Sequence, residues 1–477
     1  MKQFNGIHEE CGIFGIYRDA VSDVAADVYY GLYSLQHRGQ ESAGIVVNNR
    51  GVARSHKDRG LVNEVFNRAV LDELGEGNMA IGHVRYGTYG GNTRENAQPL
   101  IVNHVKGSMA IAHNGNITNA AILREELELK GSIFHTTSDT EVIAYVFTEA
   151  RLEKGSIEEA VAASMDRLQG AYCLVIMSPQ KLIGVRDPLG IRPLCIGKVD
   201  DGYVLASETC ALDSIGAKYI RDVRPGEIVV IDENGIRSNT DHCFDEPHAL
   251  CVFEYIYFAR PDSWIEGDSV HVARRRAGAM LAQQHPVEAD VVIGVPDSGI
   301  DAAIGYAAEA GIPYGLGFIK NKYIGRTFIE PGQKVRENLV RIKLNVVDST
   351  VRGKRVVMID DSIVRGTTGA RIVRLLREAG ATEVHMRVTA PPFLHSCYYG
   401  TDISSRDYLV AAHRTVEETA KAMDLDSLGY LDVNSLEDIP EKYRGGVCTA
   451  CFTGKYPSDT TGVEKKFELE ERLNRKL

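Results

Sequence analysis

In the second half of the chain a short apolar run ends in a polar, glycine-bearing loop, a helical stretch follows, and the plan then repeats. Val291–Pro296 (VVIGVP) leads into Asp297-Ser298-Gly299 and an Ala-rich stretch that stops at Gly311-Ile312-Pro313. Val356–Asp361 (VVMIDD) leads through a polar loop into Ala370–Ala379, with apolar Ile372, Val373, Leu375 and Leu376. Gly380 is the stop and Glu383–Val388 the next strand. Apolar runs joined by helices pair in parallel, because the helical crossover returns the chain to the same end of the sheet. The pattern predicts a doubly wound parallel sheet, whose ligands bind beyond the carboxyl ends of its strands, where both polar loops fall.

Before about Pro247 the rhythm differs. Strand-like runs at Gly12–Tyr17, Gly44–Val47, Met79–Val84, Met109–Ala112, Ala171–Met177 and Glu227–Asp232 are punctuated by Gly, Asn and Asp. Helical spacing is confined to Thr140–Leu152 and Ile157–Leu168 among them. Many strands with few helices predict a layered α/β fold of largely antiparallel sheets. The boundary is placed between Asp241 and Ala249, giving a leader 1–10, a first domain 11–245 and a second 246–477. Glu464–Leu477 is densely charged and reads as a solvated helix or frayed tail.

Composition narrows the classes. The chain has 477 residues, enough for two or three domains. No apolar run approaches the ~18 residues that span a bilayer, and Met1–Glu10 lacks the apolar stretch of an export signal. A net charge of −11 argues against a nucleic-acid binder. The nine cysteines are odd in number and scattered, so thiols, metal ligands or a nucleophile are expected rather than a disulfide framework. A cytoplasmic globular protein is the expectation.

Cys11 opens the first strand directly behind the polar leader. Removing the leader would leave an α-amine on that residue, with a pKa near ~8, able to act as base for the thiol. Taken alone, a cysteine here is more often buried filler. His37-Arg38-Gly39-Gln40, Gly82–Tyr86 and His113–Asn116 are expected at strand ends, where a site can be assembled on rigid supports. Asn114 and the Gly115 N–H could form an oxyanion hole. Arg85 could clamp a carboxylate and Asp139 an ammonium group, a pair suited to an amino acid. Asp139 could equally cap the helix that follows it. CGIFGIY, QHRGQESAGI, GHVRYGT and AHNGNITN resemble the N-terminal-nucleophile glutaminase domain of the glutamine amidotransferases, over most of the chain before Asp241. The resemblance implies a layered α/β/β/α domain, leader cleavage, Cys11 as nucleophile, Arg85 and Asp139 as glutamine binders, and Asn114 with Gly115 as oxyanion hole.

In VVMIDDSIVRGTT (Val356–Thr368), Asp360 and Asp361 end an apolar strand, where paired carboxylates are costly without ribose hydroxyls or a divalent cation as partners. Ser362, Arg365, Gly366, Thr367 and Thr368 then offer hydroxyls and N–H groups just before a helix, an anion cradle. A lone Asp pair can also cap a helix, but the whole string resembles the signature of the type I phosphoribosyltransferases, which bind phosphoribosyl pyrophosphate (PRPP). Ser298 is placed to reach a magnesium ion held by Asp360 and Asp361. Lys320–Lys343 is the strongly basic stretch of an acidic chain. Its Lys322, Tyr323 and Arg326 are expected in a lid over the polyphosphate, against the plainer reading of a solvated face.

Together the halves resemble the glutamine phosphoribosylpyrophosphate amidotransferase family, also through FEYIYFARPDS and NKYIGRTFI. The resemblance implies ammonia release from glutamine and its transfer through a shielded channel to C1 of PRPP, the first committed step of purine synthesis. It also implies purine-nucleotide feedback inhibitors and a homotetramer. Cys448 and Cys451 form a CxxC, and Cys251 and Cys397 lie in the same half. Their spacing alone fits zinc, a [4Fe–4S] cluster, a redox pair or unrelated core thiols. HSCYYG and CTACFTGKYP are similar to the cluster-bearing branch, which implies these four as cluster ligands, with Cys243 as substitute. Cys173, Cys195 and Cys210 are expected in core strands. Other amidotransferases with the same first half lack the PRPP string. A non-catalytic PRPP sensor would not need Cys11, Arg85, Asp139 and the oxyanion pair together.

Overall fold

The computed structural model describes residues 11–87, 91, 93–244, 247–321, 344–403, 405–461, 463 and 469. Lys322, Tyr323 and Arg326 lie outside them, as do the leader and most of the charged tail. Two mainly antiparallel sheets face each other in the first half. One runs in the order Lys218–Asp222, Cys195–Val199, Gly202–Ala206, Gly12–Ser22, Gly77–Arg85, Ser42–Asn49, Val52–Arg59. The other runs Gly235–Asn239, Ile228–Asp232, Leu182–Arg186, Gly170–Met177, Gly107–Ile117, Leu100–His104.

Strand alternation builds the layers. From Gly12–Ser22, Phe14 and Ile16 face a helix layer that includes Val24–Ser34, while Ile13 and Tyr17 face the second sheet. From Gly170–Met177, Cys173, Val175 and Met177 meet them, and Tyr172, Leu174 and Ile176 turn to the helices Asp139–Glu153 and Ile157–Met165. Helix, sheet, sheet, helix is the result, with both faces of the central strands buried. The helix expected to run to Leu168 ends at Met165, yet Leu168 stays buried in the same core, so apolar spacing outlasts the helix. His37–Gln40 does not end a strand. It turns out of helix Val24–Ser34, and Gly39 passes so close to Val84 and Arg85 that a Cβ would lie 2.6–2.7 Å from their backbone.

Beyond Asn239 the chain leaves this sandwich, and Leu250–Cys251 already pairs with Val447–Cys448. The second half is built on a four-stranded, all-parallel sheet in chain order: Val291–Gly294, Arg355–Asp360, Glu383–Val388, Ser427–Tyr430. Helices Val270–Gln284 and Gly299–Ala310 cover the face of Val292, Val357 and Ile359. Thr367–Glu378 and Val416–Ala422 cover the face of Val291, Ile293, Val356 and Met358. This is the doubly wound arrangement expected. Helix Thr367–Glu378 starts before the expected Ala370, because its exposed first turn carries threonines that apolar spacing does not register. No helix among the described residues is long and apolar enough to cross a membrane.

The two helices on the first face approach through glycines. A Cβ on Gly278 would lie 1.9 Å from the Ala302 carbonyl oxygen, and one on Gly305 1.9 Å from that of Arg275. Gly278→Ala is therefore expected to destabilise the fold by ~1–3 kcal/mol through overpacking, read as a lower denaturant midpoint. An unchanged midpoint would show that the helices separate freely.

Candidate active sites

The Cys11 end of the first sheet is set by register. Gly12 lies opposite Val84, so Cys11 and Arg85 occupy neighbouring strand ends. Cys11 is buried, its thiol 3.5 Å from the Tyr86 carbonyl oxygen, and Arg38 Nε donates to the Cys11 carbonyl at 3.2 Å. Arg85 is buried 3.9 Å from the Glu41 carboxylate.

The second sheet supplies the other residues. Asn114 and Gly115 lie in Gly107–Ile117, opposite Cys173 and Tyr172. Gly115 has φ 141°, and a Cβ there would sit 2.2 Å from the Ala171 carbonyl oxygen, so the position requires glycine. The Asn114 side chain is buried, and neither end of its amide has a hydrogen-bond partner among the described residues. Such a group costs ~1–3 kcal/mol unless a ligand completes it. Asp139 is the first helical residue and not the cap, a role Ser138 takes. Its carboxylate accepts from the Ile117 N–H at 3.2 Å and lies 3.5 Å from His113 Nδ1, against the strand of Asn114.

His83 joins the two sheets. Its Nε2 is 3.0 Å from the His113 carbonyl oxygen, which can only accept, so Nε2 carries the proton. Burial pushes the His83 pKa down to about 3, which keeps the ring neutral. His83 stands within GHVRYGT, where nothing in the local sequence marks it as a tie between two sheets.

In the parallel sheet, Ser298 and Asp361 come together from separate loops. The Ser298 hydroxyl donates to Asp361 at 2.6 Å, and that of Ser362 at 2.5 Å. Burial and the charge of Asp361 push the Asp360 carboxyl well above the usual carboxylate range. Gly366, φ 76°, caps helix Thr367–Glu378, whose first turn exposes Thr367 and Thr368. Arg365 lies over the Tyr408 ring, 4.8 Å from its centre. The Lys320 ammonium is 2.5 Å from Asp297.

Cys251, Cys397, Cys448 and Cys451 line one small cavity with Arg192, Phe393 and Tyr399. Cys251 faces Cys448 across the parallel pair, and the Cys451 carbonyl accepts from Leu394 and His395 N–H, three and two residues before Cys397. Burial pushes the Cys448 thiol up to about 12. Cys243 is not among the lining residues and stands near Arg224 and Glu227. Cys173 and Cys195 are strand core residues, whereas Cys210 is buried on the short helix Thr209–Asp213.

Between the sites lies a buried charge cluster that the sequence did not reveal. Arg38 pairs with Glu208 at 2.6 Å and with Glu254 at 2.6 Å, and Arg192 lies 3.5 Å from Glu254. All four side chains are fully buried. Burial alone would raise the Glu208 carboxyl, but His37 and Arg38 outweigh it and hold it far below the usual range.

A two-sheet sandwich with a buried cysteine at a strand end, joined to a parallel sheet with an acidic, hydroxyl-lined loop, has the architecture of a glutamine amidotransferase coupled to a phosphoribosyltransferase. A glutamine amidotransferase domain family matches residues 84–214 and a phosphoribosyl transferase domain family residues 271–399. The chain is 50% identical to the amidophosphoribosyltransferase of Bacillus subtilis (strain 168) over 464 residues, 96% of each protein. It is also 50% identical to that of Archaeoglobus fulgidus over 456 residues, 95% of this chain and 99% of the relative. The solved glutamine PRPP amidotransferase of B. subtilis complexed with ADP and GMP matches with a TM-score of 0.88 at 49% identity, covering 96% of this chain and 99% of that one. The chain belongs to the amidophosphoribosyltransferase family.

Glu208 has a depressed folded pKa, so its contribution is present above the unfolded value near ~4.3 and lost as pH falls. Glu208→Gln is expected to lower the thermal midpoint at neutral pH and to flatten the acid loss of stability between about pH 5 and 3. Parallel acid limbs for wild type and variant would contradict this.

Proposed function

We propose that this chain transfers the amide nitrogen of glutamine to C1 of PRPP, giving 5-phosphoribosylamine, glutamate and pyrophosphate, with Cys11 as nucleophile. That reaction is the one its family performs in purine biosynthesis. The observation that carries the residue assignment is the buried Asn114 amide, without a partner among the described residues, on the strand beside Asp139 and joined through His83 to the sheet that bears Cys11 and Arg85.

With residues 1–10 removed, the Cys11 α-amine takes the thiol proton and the sulfur attacks the side-chain carbonyl of glutamine. The oxyanion is received by the Asn114 amide and the Gly115 N–H. Arg85 holds the substrate carboxylate and Asp139 its ammonium group. The ammonium of Cys11 returns the proton to the leaving nitrogen, ammonia departs, and water releases glutamate from the thioester. Ammonia then attacks C1 of PRPP as the C1–O bond to pyrophosphate breaks.

The raised Asp360 carboxyl and the Ser298–Asp361 pair fit a cation held jointly with substrate phosphates, since magnesium uses one or two carboxylates beside phosphate oxygens. Asp360, Asp361 and Ser298 would hold magnesium there, and it would supply charge neutralisation for the leaving pyrophosphate. Ser362, Arg365, Gly366, Thr367 and Thr368 receive the 5-phosphate, and Lys322, Tyr323 and Arg326 remain proposed for the lid. Among the described residues no three His, Cys, Asp or Glu are placed to share one metal ion. Four thiols lining one cavity fit the wider set of a [4Fe–4S] cluster, which neither half-reaction requires. Feedback by purine nucleotides, a homotetramer and a cytoplasmic location complete the reading.

The test is glutamate release by anaerobically purified protein with and without PRPP and magnesium. Strong stimulation by the pair is expected, with a loss of ~1,000-fold or more in Cys11→Ala. Absence of release from wild type lacking its leader, with PRPP still bound, would sink the reading. Asp360→Asn combined with Asp361→Asn is expected to abolish the stimulation while basal glutamate release persists. Stimulation that survives would move the PRPP site elsewhere.

A further inference from the structure

The segment leading into the parallel sheet carries a carboxylate into the interior beside the nucleophile residue. Glu254 opens a short π-helical turn, Glu254–Phe258, and its two oxygens take both terminal nitrogens of Arg38, at 2.9 and 2.6 Å. Glu208, from the first half, takes one of the same nitrogens at 2.6 Å. The fork is thus fixed on its outer edge, and the remaining Nε–H points to the Cys11 carbonyl. Glu208 also anchors the rest of the segment, accepting from the Arg260 N–H at 2.9 Å and the Ser263 hydroxyl at 2.7 Å. Arg274 holds the turn itself through the carbonyls of Tyr255, Tyr257 and Ala259.

We propose that Glu254 is a positioning residue for glutamine hydrolysis: from the second half of the chain it orients Arg38, and Arg38 sets the place of Cys11. The inference rests on the reading of Cys11 as nucleophile. Without the Glu254 charge, the guanidinium can re-pair on Glu208 alone and carry its Nε–H off the Cys11 carbonyl. A displacement of about 1 Å at a reacting residue costs on the order of 100-fold in rate. Arg85 and Asp139 stand on other elements, so substrate affinity moves much less.

The test is steady-state glutamine hydrolysis by full-length Glu254→Gln and Glu254→Asp, beside thermal unfolding of each. For Glu254→Gln, kcat is expected to fall about 10- to 100-fold with KM within about threefold of wild type. Glu254→Asp keeps the charge at shorter reach and is expected to restore part of that kcat. A structural role alone would lower the unfolding midpoint and leave kcat of the folded enzyme at its wild-type value, which overturns the proposal. Should Glu254→Gln not fold, Glu254→Asp decides: a several-fold lower kcat at unchanged KM supports positioning, and wild-type kcat refutes it. Glutamate release that persists in Cys11→Ala would instead remove the nucleophile reading, which these two variants leave separate.

Discussion

The buried cluster of Arg38, Glu208, Glu254 and Arg192 is the interaction on which the two halves depend. Two guanidinium and two carboxylate groups balance in charge, so the desolvation of each is offset only while the others stay. Losing one partner from such a set costs about 3–5 kcal/mol. Three members come from the sandwich and one from the segment that enters the parallel sheet, so the cluster fixes how the halves meet. Further bonds follow the same seam: Arg186 to Glu266, Arg192 to the Tyr399 carbonyl and Asn116 to the Tyr398 carbonyl. The last joins the strand of Asn114 to the stretch that holds Cys397.

Each site arises where a fold places polar residues at the ends of rigid strands. In the sandwich, register brings Cys11 beside Arg85, the sheet partner brings Asn114 and Gly115, and neutral His83 ties one to the other. In the parallel sheet, the acidic pair sits at the carboxyl end of Arg355–Asp360, and the loop after Val291–Gly294 delivers Ser298 to it. Both sets are carried by elements buried on both faces, which limits how far any of these residues can drift.

Much of this was legible in the chain. The near-continuous apolar runs GIFGIY and AYCLVIM signal buried strands, and VVMIDD followed by GTT signals a parallel strand feeding a helix. What stayed hidden was contact between residues far apart in sequence. Arg38 and Glu254 are separated by 216 positions, and no local periodicity marks them as partners. The HRGQ motif was misplaced at a strand end because its glycine answers a close approach to another strand, not a turn of its own. Cys210 looked like strand core because apolar burial is the same on a short helix. The four cavity cysteines could be grouped only through resemblance, since spacing does not reveal that Cys251 pairs against Cys448.

The central claim is that nitrogen passes from one half of a single chain to the other. It is tested most directly with glutamine labelled with 15N at the side-chain amide, turned over with PRPP and magnesium in an excess of unlabelled ammonium. Phosphoribosylamine carrying the label in nearly every molecule is the predicted result. Product whose label is diluted to the ratio in bulk solution would show that ammonia escapes between the sites, and would contradict the account.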